Sequence, residues 1–184
     1  MIGIDEVGRG AWAGPLLVVA AKAKTALPVG LKDSKVLTKN KRGQLIPALL
    51  ESCDFGEGWV DPAEIDQIGL TGAMELAVKR ALKHLMAMAT DEIIMDGTIN
   101  YCGSEFTNVQ CIARADATHP IVSAASIYAK VLRDRKMEQL AVEYPGYGFE
   151  KHVGYGTKLH LEGLKALGIS PIHRLSYKPM AVFV

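Results

Sequence analysis

Apolar runs alternate with glycine-rich and charged stretches along the chain, and their lengths predict an α/β protein. Residues 2–7 and 16–23 predict two strands of an antiparallel pair, joined by a turn that is rich in glycine. The second run is continuously apolar, as in a strand that is covered on both faces. Shorter apolar runs predict further strands at residues 55–61, 92–97 and 108–113.

Apolar residues at helical spacing predict helices over residues 39–51, 71–89 and 123–143, and a shorter one near 159–167. The first of these contains Pro47, which is expected to kink or interrupt it. The resulting order is β-β-(α)-β-α-β-β-α with a helical tail. This order predicts a mixed sheet with helices on both faces, in which ligands collect at the strand ends.

The composition is that of an ordinary globular protein of one domain. The chain has 184 residues, of which 49% are hydrophobic and 22% charged, with a formal net charge of +1. Its three cysteines lack CxxC spacing, which argues against a disulfide framework or zinc ribbon and fits a reducing cytosol. Charged residues interrupt any signal peptide, and the apolar run 11–21 is too short to span a membrane. We therefore expect a cytoplasmic protein without a membrane segment.

Acidic residues stand at the ends of three predicted strands. Asp5 and Glu6 end the first strand, Asp96 ends another, and Asp116 follows the last one. Carboxylate oxygens without accompanying His or Cys suit Mg²⁺ or Mn²⁺ rather than zinc. Two such ions would activate a water and stabilise the leaving oxygen of a phosphodiester. Each acid also has an ordinary alternative: a solvated Asp-Glu pair, an Asp-Gly turn at Asp96, or a helix N-terminal charge at Asp116.

Basic and aromatic residues accompany these acids. The turn Gly8-Arg9-Gly10 follows the first acidic pair, and its guanidinium is suited to phosphate. From Lys130 onward the chain holds nine basic and five acidic residues, interleaved with Tyr147, Phe149 and Tyr155. Such a mixture is typical of a surface that follows a nucleic-acid backbone and stacks on it. The three histidines of this region are expected to be core or hydrogen-bonding residues rather than metal ligands.

Seven motifs follow one another over nearly the whole chain. They are Gly3-Ile4-Asp5-Glu6-Val7-Gly8-Arg9-Gly10 with Ala13-Gly14-Pro15; Leu31-Lys32-Asp33-Ser34-Lys35; Met95-Asp96-Gly97; Ala124-Ala125-Ser126-Ile127-Tyr128-Ala129-Lys130 with Arg133-Asp134; Tyr147-Gly148-Phe149; Gly154-Tyr155-Gly156-Thr157 with His160; and Ser170-Pro171-Ile172-His173-Arg174. In this order they resemble the motifs of type 2 ribonucleases H, the ribonuclease HII family.

The resemblance implies a ribonuclease H-like mixed sheet flanked by helices, with a small C-terminal helical region. It implies one catalytic domain over residues 1–184, whose part 142–184 contacts substrate, and a two-metal endonuclease that uses Mg²⁺ or Mn²⁺. Members cut on the 5′ side of a ribonucleotide, either in RNA–DNA hybrids or at single ribonucleotides in duplex DNA. They leave 3′-hydroxyl and 5′-phosphate ends. We expect these nucleic acids as partners, and a monomeric protein.

The family's functional residues can be transferred to matching positions of this chain. Asp5, Glu6, Asp96 and Asp116 resemble its catalytic, metal-binding carboxylates. The turn Gly8-Arg9-Gly10 resembles the motif that reads the 2′-hydroxyl through backbone groups and holds the neighbouring phosphate. Tyr155 resembles the tyrosine that meets the sugar at the RNA–DNA junction, and Lys35 and Ser126 are expected to contact phosphates.

The chain departs from the family pattern beside Asp116. Arg114 replaces a usual lysine, and residues 117–120 replace a serine-rich approach to the following helix. Asp134 is the rival for the fourth acid, but it stands well along that helix, and we expect it to form a structural ion pair or a cap.

Three other functions share part of this pattern. Type 3 ribonuclease H would share the fold and the acids, but it typically lacks the arginine between the two glycines. A module that binds hybrids without cutting them would not need all four acids. A metal-dependent phosphatase for small substrates is disfavoured by the basic, aromatic tail and by the lack of a phosphate-binding glycine loop with Lys-Ser/Thr.

Overall fold

The computed structural model describes residues 1–31 and 37–183. Within them, five strands form one mixed sheet in the order β3-β2-β1-β4-β5. The strands are β1 (Ile2–Val7), β2 (Leu16–Ala23), β3 (Cys53–Val60), β4 (Ile93–Asp96) and β5 (Val109–Ile112). β2 pairs antiparallel with β1 and β3, whereas β1, β4 and β5 are parallel to one another. The predicted antiparallel pair and the mixed sheet are both confirmed.

The helices follow the predicted order. They are α1 (Lys39–Ser52), α2 (Pro62–His84), α3 (Ala115–Thr118), α4 (Pro120–Glu143), α5 (Phe149–His152) and α6 (Lys158–Leu167), with a 3₁₀ helix at Lys178–Val182. α1 begins at the N-cap Thr38, whose side chain accepts a hydrogen bond from the Lys41 N–H, and it continues through Pro47.

The predicted bounds of the second helix were wrong at both ends. α2 begins at Pro62 behind a capping box formed by Asp61 and Glu64, nine residues before the predicted start. Gly69 interrupts it with a φ of 71°. The helix also ends at His84 rather than at residue 89. The half before Gly69 buries only Pro62 and Ile65, so it lacks the apolar stripe on which the prediction depended.

Side chains of alternating strand positions build a core on each face of the sheet. Ile2 and Ile4 of β1 pack with Val18 of β2 and the apolar face of α2. Leu17 and Val19, on the opposite face of β2, pack with α1 and α4. This alternation is the period-two geometry of a strand.

A third, smaller apolar cluster joins the C-terminal region to the turn between β1 and β2. It contains Ala13 of that turn together with Met137, Leu140, Tyr147 and Phe149. Tyr147 is 6% exposed and Phe149 fully buried, and their rings stack on each other. Their predicted place in a stacking surface for nucleic acid was therefore wrong, because this core covers both rings.

Candidate active site

The parallel strands bring acidic residues together at one edge of the sheet. Ile4 of β1 is paired with Met95 of β4, so that Asp5 and Asp96 are the next residues of the two strands. β5 is parallel to β4, and Asp116 follows it in α3. Because carboxyl ends of parallel strands meet at the same edge, Asp5 and Asp96 lie at one edge of the sheet, where β5 also ends before Asp116.

A cleft of about 370 Å³ lies at this edge. Of the predicted site residues, all but Asp116 and Lys35 line the cleft: Asp5, Glu6, Gly8, Arg9, Gly10, Asp96, Ser126 and Tyr155. Val7 and Lys130 complete the lining. Lys35 lies outside the described residues. The turn after β1, the end of β4 and one face of α4 thus surround a single concave site.

Asp5 is the most deeply buried acid of the cleft lining, with 6% of its surface exposed. Burial raises the pKa of its carboxyl group to about 8, and the negative charges of Glu6 and Asp96 act in the same direction. Hydrogen bonds from Ser126 and from the Glu6 N–H, the latter at 2.8 Å from Oδ1, oppose this rise. A divalent cation in the cleft would reverse the balance, because it favours the ionised carboxylate.

Arg9 lies at the mouth of the cleft, with 45% of its side chain exposed. Its Nη1 is 3.9 Å from Oε1 of Glu6, and its Nη2 donates a hydrogen bond of 3.4 Å to the Tyr101 hydroxyl. The guanidinium is thus kept near the acids while the side chain stays partly exposed to solvent. This position suits contact with a phosphate of a bound nucleic acid.

Asp96 and Asp116 are linked through α3. Oδ1 of Asp96 accepts a hydrogen bond of 2.7 Å from the Ala115 N–H, and Asp116 is the next residue. Asp116 is 2% exposed, and the Ser123 hydroxyl donates to its backbone carbonyl at 2.5 Å. Among the described residues, no three His, Cys, Asp or Glu side chains form a group that could hold a metal ion. The four-acid metal site therefore stays a prediction.

Two further side chains of α4, Lys130 and Asp134, form an ion pair beside the cleft. Lys130 lines the cleft, although its role was not singled out from the sequence. Its spacing could have revealed it, because it stands four residues after Ser126 and hence on the same helical face. Lys130 donates a hydrogen bond to Asp134 at 2.7 Å, and Arg42 lies 3.6 Å from the same carboxylate. Asp134 is thus in the structural ion pairs that were expected.

Tyr155 follows α5, is half-buried and lines the cleft. Its hydroxyl accepts a hydrogen bond of 3.3 Å from the Gly8 N–H, and its ring centroid is 5.6 Å from Cζ of Arg133. Gly156 is needed for packing, since a Cβ there would lie 2.1 Å from the Trp12 ring. Tyr155 is therefore held against the turn after β1 while its ring borders the cleft.

Not every basic residue of the C-terminal region faces the substrate side. Arg133 and Arg174 are fully buried, and Arg133 donates to the backbone carbonyls of Ala13, Pro15 and Val153. The histidines of the region are buried as well, which confirms their expected core role; they are His152, His160 and His173. The basic surface predicted from residue counts is therefore smaller than the counts suggested.

Known proteins that resemble this chain identify its family. A family model for ribonuclease HII matches residues 2–180. The chain belongs to the ribonuclease HII family. The Ribonuclease HII of Erythrobacter litoralis (strain HTCC2594) is 40% identical to it over 98% of this chain and 88% of the relative.

Two solved structures of ribonucleases H share the fold. The ribonuclease H2 from Pyrococcus horikoshii OT3 is 27% identical, with a TM-score of 0.75 over 99% of this chain and 95% of that one. Bst-RNase HIII, crystallised in complex with Mn²⁺, is 24% identical, with a TM-score of 0.72 over 98% of this chain and 67% of that one. The type 3 enzyme thus shares the architecture, whereas the matching family model is that of ribonuclease HII.

Membership of the ribonuclease HII family confirms the resemblance carried by the motifs and the ribonuclease H-like α/β fold. The chain is an endoribonuclease of the ribonuclease H type and therefore a hydrolase. This excludes the two hypotheses of a module that only binds hybrids and of a phosphatase for small substrates. No helix in the described part of the chain is long and apolar enough to cross a membrane.

Proposed function

We propose that this ribonuclease HII hydrolyses the phosphodiester on the 5′ side of a ribonucleotide, both in RNA–DNA hybrids and at single ribonucleotides in duplex DNA. The products would carry 3′-hydroxyl and 5′-phosphate ends, and the reaction would serve ribonucleotide removal and degradation of RNA primers or hybrids. One observation carries the proposal: a single cleft combines Asp5, Glu6 and Asp96 with the Gly8-Arg9-Gly10 turn and Tyr155. Acids suited to metal-assisted hydrolysis therefore lie beside groups suited to a ribose and its phosphate.

The acids of the cleft support a dependence on Mg²⁺ or Mn²⁺. Asp5, Glu6 and Asp96 would hold two ions together with Asp116, and all four offer the hard oxygen ligands that these ions prefer. Bound ions would supply an activated water and stabilise charge on the leaving oxygen. The raised pKa of Asp5 supports this assignment, because a cation would stabilise the charged form of a carboxylate that burial, and next the charges of Glu6 and Asp96, disfavour. Mn²⁺ is also bound by Bst-RNase HIII, an enzyme of the same fold.

The other residues of the cleft lining would bind and orient the nucleic acid. Backbone groups of Gly8-Arg9-Gly10 would contact the 2′-hydroxyl, and the Arg9 guanidinium would hold the neighbouring phosphate. Tyr155 would meet the sugar that follows the ribonucleotide. Ser126 would contact a phosphate and keep Asp5 oriented through its hydrogen bond.

We further infer that residues 1–184 act as one catalytic domain, with residues 142–184 contacting substrate, and that the enzyme is a cytoplasmic monomer. The three cysteines are free thiols, as suits a reducing compartment. Light scattering coupled to size exclusion tests the monomer directly. A mass of twice the 19.9 kDa of the chain would contradict it.

The decisive experiment uses three duplexes of one sequence, labelled on the same strand. One contains a single ribonucleotide, the second a continuous RNA strand, and the third only deoxyribonucleotides. We expect cleavage of the first two in Mg²⁺ or Mn²⁺ and none in a chelator. Product ends are mapped against chemical ladders, and a 3′-hydroxyl terminus directly 5′ of the ribonucleotide is the expected result.

Two results would contradict the proposal. One is equal cleavage of the all-DNA duplex, which would mean that the cleft does not read the 2′-hydroxyl. The other is cleavage that persists unchanged in chelator, which would mean that the acids do not act through a metal ion.

A further inference from the structure

The carbonyl group of Arg9 is held from the interior side of the turn by two residues close to the C-terminus. Nη1 of Arg174 donates to the Arg9 carbonyl at 3.1 Å, and the Tyr177 hydroxyl donates to the same oxygen at 2.6 Å. The two side chains also contact each other, with Arg174 Nη1 donating to the Tyr177 hydroxyl at 2.9 Å. One backbone oxygen thus receives two hydrogen bonds from side chains that are more than 160 residues away in sequence.

Further hydrogen bonds of Arg174 are also donated to backbone carbonyls of this turn. Its Nε and Nη2 donate to the carbonyl of Gly14 at 3.0 and 2.8 Å, and its backbone N–H donates to Trp12 at 2.8 Å. The side chain is fully buried, and within residues 1–31 and 37–183 it forms no ion pair with a carboxylate. All side-chain hydrogen bonds of this buried cation therefore go to the turn or to Tyr177.

The hydrogen bonds to the Arg9 carbonyl also fix the direction of the Gly10 N–H. The carbonyl of Arg9 and the N–H of Gly10 belong to one planar trans peptide, so they point in opposite directions. Since the carbonyl points to Arg174 and Tyr177, the Gly10 N–H points away from them. Gly10 lines the cleft, and a Cβ built on it would meet no atom within 4 Å. No acceptor in the described part of the chain takes this N–H.

We propose that Arg174 and Tyr177 are positioning residues, which fix the Arg9–Gly10 peptide so that the Gly10 N–H is presented to the ribose 2′-hydroxyl. The proposal rests on the proposed function, since it assumes that the turn reads the ribonucleotide. It adds a structural reason why the turn can distinguish ribose from deoxyribose. This discrimination depends on two side chains behind the turn, Arg174 and Tyr177, which do not line the cleft.

The test compares Tyr177→Phe and Arg174→Lys with the control Tyr147→Phe. The first keeps the ring but removes the hydrogen bond to Arg9 and the hydroxyl that accepts from Arg174 Nη1. The second keeps the charge but loses the fork that spans Arg9 and Gly14. The control removes a hydroxyl that donates to the backbone carbonyl of Gly168 at 3.0 Å. It therefore loses a bond of the same kind without removing any hydrogen bond to the turn. If Arg174→Lys fails to fold, Tyr177→Phe decides alone.

The first readout is the ratio of dissociation constants for two duplexes in Ca²⁺, one all-DNA and one with a single ribonucleotide. Loss of one neutral hydrogen bond predicts that Tyr177→Phe lowers this ratio about 2- to 10-fold, with at least as large an effect for Arg174→Lys. Affinity for the all-DNA duplex and the ratio measured for Tyr147→Phe should match the parent. An unchanged ratio in folded Tyr177→Phe, or an equal fall in the control, would overturn the proposal.

The second readout needs no substrate and separates this proposal from the proposed function. The ¹⁵N order parameter of the Gly10 amide should be that of rigid backbone in the parent, roughly 0.85, and should fall in Tyr177→Phe. A parent that does not discriminate the two duplexes would contradict the proposed function. An order parameter that stays at the parent value in Tyr177→Phe would contradict the positioning role itself.

Discussion

The environment of Asp5 makes the acidic edge a source of instability when no cation is present. Its carboxyl pKa is raised from 3.8 to about 8, so the folded protein keeps a proton that the unfolded chain has lost. Between about pH 4 and pH 8 the folded state therefore binds more protons, and its stability falls as the pH rises through this window. A divalent cation that pairs with the carboxylate should offset the loss.

Asp5→Asn should therefore separate stability from activity. In chelator at pH 8 we expect its Tm to exceed that of the parent by at least about 2–4 °C, the effect of 1 kcal/mol in a domain of this size. The difference should vanish near pH 4. Cleavage should fall by at least ~100-fold, because even partners of metal ligands cost up to that much when they are removed.

Mg²⁺ should raise the Tm of the parent but not that of Asp5→Asn, and differential scanning fluorimetry checks both. The control Asp54→Asn, at an exposed position of β3, should behave like the parent. Asp96→Asn should also lose cleavage while its Asn oxygen still accepts from the Ala115 N–H. Near-parental rates for Asp96→Asn in Mg²⁺ would show that the assignment of the four acids is wrong.

Tyr155 borders the cleft, and its substitutions should reveal how a single ribonucleotide is recognised. Stacking of an aromatic ring on a nucleotide is worth ~1–3 kcal/mol by alanine substitution, roughly 5–150-fold. We expect Tyr155→Ala to slow cleavage at a lone ribonucleotide by that factor and to slow cleavage of a continuous hybrid less. Rates under single-turnover conditions on both substrates provide the measurement.

Tyr155→Phe keeps the ring but removes the acceptor of the Gly8 N–H. It should retain most of the activity, since that hydrogen bond is long at 3.3 Å. An equal loss on both substrates for Tyr155→Ala, together with a lower Tm, would mean that the residue acts as part of the core instead.

At the scale of elements, the conformation of the turn between β1 and β2 depends on its packing against Arg133 of α4. Gly8 has a φ of 88°, and a Cβ on it would lie 2.1 Å from Nε of Arg133. Arg133 cannot move aside easily, because its guanidinium donates to three backbone carbonyls. The glycine is therefore required by both the backbone conformation and the close packing.

Gly8→Ala should destabilise the protein by about 1–3 kcal/mol, the cost of a strained backbone position, and lower the Tm by roughly 2–12 °C. Gly10→Ala is a matched control for stability, since a Cβ at Gly10 would meet no atom within 4 Å. Its Tm should stay close to that of the parent in thermal unfolding followed by circular dichroism. Equal losses in the two variants would mean that Arg133 gives way and does not constrain the turn.

At the scale of the whole molecule, a buried histidine network holds the C-terminal region together. His160 Nδ1 lies 3.0 Å from the Tyr155 carbonyl, so this nitrogen carries the proton, and its Nε2 must accept from His173 Nε2 at 3.0 Å. His173 Nδ1 in turn accepts from the Ser170 N–H at 2.9 Å. Both rings are thus neutral, and a further proton on His160 would face the N–H of His173.

Burial lowers the pKa of His160 from 6.5 to about 4 and that of His173 in the same direction. The unfolded chain therefore binds more protons between about pH 6.5 and pH 4, and this network loses stability as the pH falls through that window. We expect the stability advantage of the parent over His160→Gln to shrink steadily from pH 7 to pH 4, as measured by urea unfolding in chelator.

The control is Lys83→Gln, at an exposed position of α2, because a lysine does not titrate between pH 4 and pH 7. Its stability difference from the parent should not vary in the same way with pH. A parent-to-His160→Gln difference that stays constant across the range would contradict a neutral, buried His160.

The sequence by itself determined the element order and the acidic edge. Alternating or continuous apolar runs mark strands through local periodicity. Asp5 and Asp96 end two of these runs and could be expected to meet, because ligands of such a sheet collect at the strand ends. The turn Gly8-Arg9-Gly10 could also be predicted from the sequence, because glycines and a charged residue beside a strand end are a local signal. These features depend only on residues that are neighbours in sequence, so the sequence alone is enough to predict them.

Only the tertiary structure decided which polar and aromatic side chains are buried. Arg174 stands in the last of the seven motifs, but no local pattern shows that it and Tyr177 contact the Arg9 carbonyl across more than 160 residues. Tyr147 and Phe149 had the same composition signal as Tyr155, yet the third core cluster covers them. Burial depends on how distant segments pack, and packing free energy is distributed over contacts that the linear sequence does not reveal.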